Sequence, residues 1–163
     1  MPKPDKNGPS FGQAASHISD VQLRHTLSPD NQANTILFDN FALRLLPGGP
    51  PIVSRTLSVV FPLTKVSAET PLTLQLRGDV SLLDGARATL VYRVLGETHV
   101  LDPLLAANGS HADYSKELNL TVRPGDDLAM TFLIALDRDA AHPSAEGLLT
   151  VDSVDMALGP GKA

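Results

Sequence analysis

The chain has 163 residues, a formal net charge of −5 and a hydrophobic fraction of 42%, which fit one globular domain and exclude disorder over most of the length. The negative charge and the scattered Lys and Arg residues argue against nucleic acid as a partner. Because the chain has no Cys, it can form neither disulfides nor thiolate metal sites, and no motif predicts a cofactor.

The first twenty residues, 1–20, predict a disordered polar tail. Pro, Lys, Gly, Ser and Ala predominate there, and Phe11 and Ile18 are too few as bulky apolar residues to offset the entropy lost on ordering. The segment lacks the apolar stretch of a secretion signal, and no later segment is apolar enough to predict a membrane span. The residues therefore fit either a cytosolic protein or a mature secreted form given a starting Met.

From residue 21 onward, apolar residues recur at every second position, which predicts strands with one buried face. The clearest case is Leu72, Leu74 and Leu76, which alternate with polar residues. A short helix at 101–107 is the best helical alternative. The pattern predicts about eight strands, over residues 21–27, 35–46, 57–63, 72–76, 86–95, 117–123, 128–136 and 148–158.

Two of these segments depart from simple alternation. In 35–46 the apolar parity changes near Asp39, which predicts a β-bulge within one strand. In 128–136 both parities are nearly apolar, which predicts a central strand covered on both faces.

Together the elements predict an all-β fold, an antiparallel β-sandwich of the jelly-roll or immunoglobulin-like type. The sandwich is expected over residues 21–158, between the tail of 1–20 and a flexible C-terminal tail of 159–163.

Several segments carry a resemblance to a known family. They are LSPD at 27–30 with ILFDNF at 36–41, RTLSVVFP at 55–62 and RGDVSLLDGARATL at 77–90, followed by a looser match at 148–158. In this order they resemble the DUF4360 family of small secreted β-sandwich proteins of unknown function. The resemblance implies a sandwich fold and a secreted or periplasmic location, and it carries over no catalytic residue. Members of that family carry cysteines, which this chain lacks.

Acidic residues late in the chain are the candidate metal ligands. Calcium prefers several oxygen ligands that converge from loops, and Asp137 and Asp139 in a loop beside Asp126 or Asp127 are candidates. The spacing of an EF-hand is absent, and acidic loops are commonly only solvated.

No catalytic constellation stands out. The pattern at 8–12 matches a nucleophile elbow, but it lies in the predicted tail and lacks the strand and helix that this turn requires. The five histidines are dispersed and show no metal-ligand spacing; they are His17, His25, His99, His111 and His142.

Aromatic residues, which commonly stack on sugar rings, are few. Tyr92, Tyr114 and Phe11 are the candidates outside the predicted core. The tripeptide Arg77-Gly78-Asp79 follows a strand, so we interpret it as a bulge at Gly78 with Arg77 on the solvent-exposed face.

The sequence favours a non-enzymatic binding or structural protein, with a protein or glycan partner recognised by loops at one end of the sandwich. A carbohydrate- or calcium-binding module is the first alternative. An enzyme whose site is assembled from residues distant in sequence is the second.

Overall fold

The computed structural model describes residues 8–12, 16–17, 21–101 and 110–159. These residues form thirteen strands in two antiparallel sheets, and none of them forms a helix that could span a membrane. The strands are β1 (Ser10–Phe11), β2 (Ser16–His17), β3 (Gln22–Leu27), β4 (Ala33–Asp39), β5 (Ala42–Leu45), β6 (Ile52–Thr64), β7 (Thr70–Leu83), β8 (Arg87–Val94), β9 (Glu97–Leu101), β10 (Ser110–Val122), β11 (Asp127–Asp137), β12 (Glu146–Thr150) and β13 (Ser153–Leu158).

The first sheet has six strands, with β11 between β6 and β8 and with β9 at one edge. The other edge of β6 pairs with two short strands, β1 near Leu63 and β2 near Val59. The N-terminal segment therefore covers the edge of β6.

The second sheet has seven strands, with β7 at its centre. One edge of β7 pairs with β10 along all 13 residues of β10. The other edge is shared, because β13 pairs with its first half and β12 with its second half. Strands β4 and β3 continue outward from β13, and β5 continues from β12.

The inward faces of the two sheets form one apolar core, which confirms the prediction of an all-β antiparallel sandwich. Leu72, Leu74 and Leu76 are at most 1% exposed, as their alternation predicts. One polar side chain interrupts this core. Asn34 is 1% exposed, and neither its amide oxygen nor its amide nitrogen has a hydrogen-bond partner.

Two predicted strands are each divided in the structure. The segment 35–46 contains β4 and β5, separated at Asn40, whose φ of 65° is left-handed. The segment 148–158 contains β12 and β13, separated at Val151 and Asp152. Between the pairs Ala42–Thr150 and Leu37–Ser153 the four residues 38–41 lie opposite the two residues 151–152, which confirms the predicted bulge near Asp39.

Strand β11 is central, but it is covered on one face only. Met130, Phe132 and Ile134 are buried, whereas Ala129 and Leu133 on the other face are exposed. The prediction of cover on both faces is wrong, because no element packs on the outward side of this sheet within the described residues.

Two short strands lie within the range 1–20 that was predicted to be a disordered tail. Phe11 is 2% exposed, and its backbone N–H donates to the carbonyl of Asn31 at 2.8 Å. Phe11 therefore belongs to the core rather than to a tail, because its ring fills apolar space beside an edge that β6 leaves open. The domain boundaries themselves stay predictions, since 1–7, 13–15, 18–20 and 160–163 lie outside the described residues, as do 102–107 of the helical alternative.

Candidate functional site

The outward side chains of the seven-stranded sheet form a continuous array of polar groups. Register places them in rows across the sheet, with Glu117, Gln75, Asp155 and Thr35 in one row. We call this array the polar face; its residues are Arg24, Thr26, Thr35, Asp39, Thr73, Gln75, Arg77, Ser115, Glu117, Asn119 and Asp155.

Hydrogen bonds hold the middle of the polar face in a fixed arrangement. Gln75 Nε2 donates to Ser115 Oγ at 2.9 Å, and Arg77 Nη2 donates to Gln75 Oε1 at 2.7 Å. Arg77 Nη2 also lies 3.6 Å from Asp155 Oδ2, and Thr35 Oγ1 donates to Asp155 Oδ1 at 2.7 Å. An amide, a guanidinium, a carboxylate and two hydroxyls are therefore joined across four strands.

A depression of ≈ 340 Å³ opens beside this network, where β12 and β13 separate. We call it the notch; it is lined by Arg77, Gly78, Asp79, Asp113, Tyr114, Ser115 and Asp152. The backbone around it is held by long-range hydrogen bonds, since Asp152 N–H donates to the Arg77 carbonyl at 2.8 Å and Asp79 N–H donates to Thr150 Oγ1 at 2.9 Å.

Gly78 makes the notch possible. A Cβ at this position would lie 2.2 Å from the Thr150 carbonyl oxygen and 2.4 Å from the Tyr114 hydroxyl, so no larger residue fits. The pairing of β7 with β10 is unbroken at Gly78. On the other edge of β7, the three residues 150–152 lie opposite Gly78 and Asp79, so a bulge lies at this point, but its extra residue belongs to the partner strand and not to β7. Arg77 is exposed, as predicted.

Tyr114 lies at the base of the notch, where its hydroxyl donates to the carbonyl of Thr150. Burial raises the pKa of Tyr114 above its ordinary value of 10.0, and the nearby charges of Asp152 and Asp79 raise that pKa further. The hydroxyl therefore stays protonated and serves as a fixed donor.

The predicted calcium ligands are not brought together. Asp126 and Asp127 lie at one end of β11 and Asp137 and Asp139 at the other, roughly 30 Å apart for a strand of this length. Asp137 accepts two hydrogen bonds from Arg87, at 2.8 and 3.2 Å.

Asp126 and Asp139 accept hydrogen bonds within turns. Asp126 accepts from the Arg123 N–H at 2.8 Å, and Asp139 accepts from His142 Nδ1 at 2.7 Å, which lowers the pKa of Asp139. Within 8–12, 16–17, 21–101 and 110–159, no group of three or more His, Asp or Glu residues is placed to hold a metal ion.

The loops at the end of the sandwich near Asp137 are tied to one another. Arg138 Nη1 donates to the Leu46 carbonyl at 2.7 Å and to the Ala145 carbonyl at 3.4 Å. A shallow depression of ≈ 500 Å³ lies between Gly85 and His142. The guanidinium group of Arg138 is therefore engaged in holding these loops in place.

The five histidines occupy five different elements, and the side chains of His17 in β2 and His111 in β10 lie outside the described residues. His25 packs edge-on against Phe61 at 6.0 Å, and His99 stacks on Tyr92 at 5.3 Å. His142 is the partner of Asp139 described above.

The candidate nucleophile and the candidate stacking groups are also engaged in the fold. Ser10 Oγ lies 2.7 Å from Thr64 Oγ1 in the pairing of β1 with β6. Tyr92 and Phe11 are at most 2% exposed, and Tyr114 is half-buried. None of these three rings presents a face for stacking on a sugar.

No family model matches the chain, and no curated protein matches it, so the resemblance to the DUF4360 family stays a prediction. Among solved structures, the chain is similar to the enzymatically active domain of bacteriophage CBA120 tailspike protein 4, with 7% identity, a TM-score of 0.32, and coverage of 92% of this chain and 20% of that one. It therefore spans a fifth of that domain. It is also similar to the CBM22-1 xylan-binding domain of Paenibacillus barcinonensis Xyn10C, with 15% identity, a TM-score of 0.28, and coverage of 94% and 90%. At these TM-scores neither similarity bears on function.

Proposed function

We propose that the protein is a non-enzymatic binding module and that its polar face, together with the notch, recognises a glycan. The observation that carries this proposal is the hydrogen-bonded chain from Ser115 through Gln75, Arg77 and Asp155 to Thr35. Sugars present neighbouring hydroxyls that both donate and accept hydrogen bonds. A face that offers amide, guanidinium, carboxylate and hydroxyl groups side by side complements them.

Preorganisation supports the same proposal. Each of these side chains is already held by a neighbour on a rigid sheet, so a ligand that binds there loses little affinity to the ordering of protein side chains. Exposed Glu117 and Asn119 continue the face along β10 and extend it beyond a single sugar ring.

The absence of a stacking ring among the described residues of the polar face defines the mode of recognition. Hydrogen bonding then has to supply the affinity without an aromatic platform, which favours a soluble, hydroxyl-rich chain over a flat crystalline surface. A secreted or periplasmic location, as implied by the family resemblance, would give access to such a ligand and belongs to the same proposal.

A glycan array, run with calcium and with a chelator, tests the proposal. We expect binding to at least one oligosaccharide in both conditions. Binding that requires calcium would favour the calcium-dependent alternative, and absence of binding to any glycan would overturn the proposal.

Titration calorimetry with the best soluble oligosaccharide then locates the site. Arg77→Ala removes a charged donor, and the loss of such a hydrogen bond, about 1.5 to 3 kcal/mol, weakens binding about tenfold or more. Arg93→Ala is the matched control, because Arg93 is exposed on the outward side of the other sheet. Equal effects of the two variants would exclude the polar face as the site.

A further inference from the structure

The outward side of the six-stranded sheet carries a different surface, which the proposed glycan site does not use. One row of it runs across four strands through Val100, Val91, Leu133 and Thr56. Val100 is 60% exposed and Leu133 is 38% exposed, and Ile52 at the end of β6 is 64% exposed. Contiguous exposed apolar side chains of this kind mark interaction surfaces.

Most residues around this row are small and carry hydroxyl or methyl groups, and two arginines and two aspartates lie among them. Ser58 Oγ and Thr131 Oγ1 lie 3.1 Å apart and satisfy each other. We call this surface the neutral face; its residues are Ile52, Ser54, Thr56, Ser58, Val60, Arg87, Thr89, Val91, Arg93, Thr98, Val100, Asp127, Ala129, Thr131, Leu133, Ala135 and Asp137.

Charge distinguishes the neutral face from the rest of the molecule. It carries two guanidinium groups, Arg87 and Arg93, and two carboxylates, Asp127 and Asp137, so its formal charge is zero in a chain whose net charge is −5. The polar face and the notch together carry two arginines against six carboxylates, which are Asp39, Asp79, Asp113, Glu117, Asp152 and Asp155. Two copies of the chain can therefore approach through their neutral faces without the repulsion that their polar faces would produce.

The area of the neutral face sets the strength expected of such a contact. Strand β8 has 8 residues, or about 27 Å, and four strands span about 19 Å, so each copy buries about 500 Å² and the pair about 1,000 Å². That total lies at the lower limit for specific interfaces, which predicts a weak and concentration-dependent association.

We propose that the neutral face is the contact between two copies of this chain, packed sheet against sheet. Flat faces of hydroxyl and β-branched side chains pack in this way at about 10 Å separation. The dimer is then a stack of four sheets, with both polar faces outward on opposite sides. Each dimer would present two ligand-binding faces, so it could bridge two ligand chains.

Sedimentation velocity of the full chain over about 1 μM to about 1 mM tests this association, a range that brackets weak dimers. We expect the weight-average mass to rise from 17.3 kDa toward twice that value. Leu133→Glu places a negative charge on the contact surface of both copies. It should raise the concentration at which half of the chain is associated at least tenfold. Thr56→Arg, at an exposed residue of the same row, provides a second disruption that leaves the core untouched.

Leu37→Glu is the matched control, because Leu37 is 40% exposed on the outward side of the other sheet. It should leave the association unchanged, and far-UV circular dichroism should show all three variants folded. A wild-type mass that stays at 17.3 kDa throughout the range overturns the proposal. So does an association that survives both neutral-face variants or is lost in Leu37→Glu. Glycan binding by a monomer would remain possible, so this result is separable from a failure of the proposed function.

Discussion

The two outward faces of the sandwich follow the same alternation along their strands and differ in what the alternation exposes. On the polar face, Gln75, Arg77 and Asp155 form a charged and hydrogen-bonded chain. On the neutral face, the corresponding central positions are Val91, Thr131 and Leu133. The core is formed by the inward residues of both sheets, so the outward residues are less constrained by packing and can differ. The proposed glycan site and the proposed contact between copies both depend on this difference.

The backbones beneath the two faces differ as well. The neutral face is formed by β6, β8, β9 and β11. These strands contain no glycine and pair without interruption. The sheet that carries the polar face also contains the notch, where β12 ends and β13 begins opposite Gly78. An uninterrupted sheet gives a continuous surface that can pack against another sheet. An interrupted sheet gives a recess, which suits a ligand smaller than a protein.

The largest effect is expected where the two sheets differ at their edges. The edge of β6 is covered by the N-terminal segment, and Phe11 of that segment is buried in the core. Phe11→Ala should therefore lower the free energy of unfolding by about 3 to 5 kcal/mol, the usual range for a buried aromatic residue. Urea denaturation measures this change. Ser10→Ala, which removes only the contact of a hydroxyl with Thr64, is the control and should cost less than about 1.5 kcal/mol.

If Phe11→Ala left the free energy of unfolding unchanged, the segment would behave as the tail predicted from composition. That prediction depended on counting apolar residues, and composition gives no information about where a single ring can insert. Burial of Phe11 depends on contact of β1 with β4 and β6, which are both distant from it in sequence.

What the sequence does predict is the inward face of each long strand. Leu57, Val59 and Phe61 are fully buried, as period-two alternation requires. Leu133 shows the limit of this reasoning, because an apolar side chain indicates burial only if another element covers it. The sequence of one strand contains no information about such cover.

The divided strands show the same limit at the candidate site. Asn40 adopts a left-handed conformation, and the change of apolar parity at the Asp-Asn pair is the local signal that predicts the bulge there. The break at Val151 and Asp152 has no such signal. It lies opposite Gly78 of β7, a strand distant in sequence, so the notch could not be predicted from either segment alone.

The next largest effect concerns the interruption in the polar face. Gly78→Ala would place a Cβ 2.2 Å from the Thr150 carbonyl oxygen, and the backbone of β12 would have to move. We expect a loss of about 2 to 3 kcal/mol, at the upper end for overpacking, measured by urea denaturation. Gly147→Ala in β12 is the matched control, because its Cβ would meet side-chain carbons at 3.4 Å, and it should cost less than about 1 kcal/mol.

If the two glycine variants were equally stable, the close approach of β7 and β12 would not be required by the fold. The notch would then be an incidental gap, and the contrast between an interrupted and an uninterrupted sheet would lose its physical basis.

The smallest effect compares the two tyrosines, which lie inward on opposite sheets. Burial raises the pKa of both, and charges of Asp152 and Asp79 raise the pKa of Tyr114 further. Above pH 10.0 the unfolded chain releases a tyrosine proton that the folded chain retains. The stability that is present below that pH is therefore lost as the pH rises, by up to about 1.4 kcal/mol per pH unit for each tyrosine.

Tyr114→Phe should flatten this fall between about pH 10 and pH 11, although loss of the hydrogen bond to Thr150 lowers stability at neutral pH by about 1 kcal/mol. Tyr92→Phe should flatten it less, because burial alone raises the pKa of Tyr92. Urea midpoints measured across this range separate the slope from the offset. A Tyr114→Phe curve parallel to wild type would mean that Tyr114 ionises as freely in the folded chain as in the unfolded one, which would contradict a closed and acidic base for the notch.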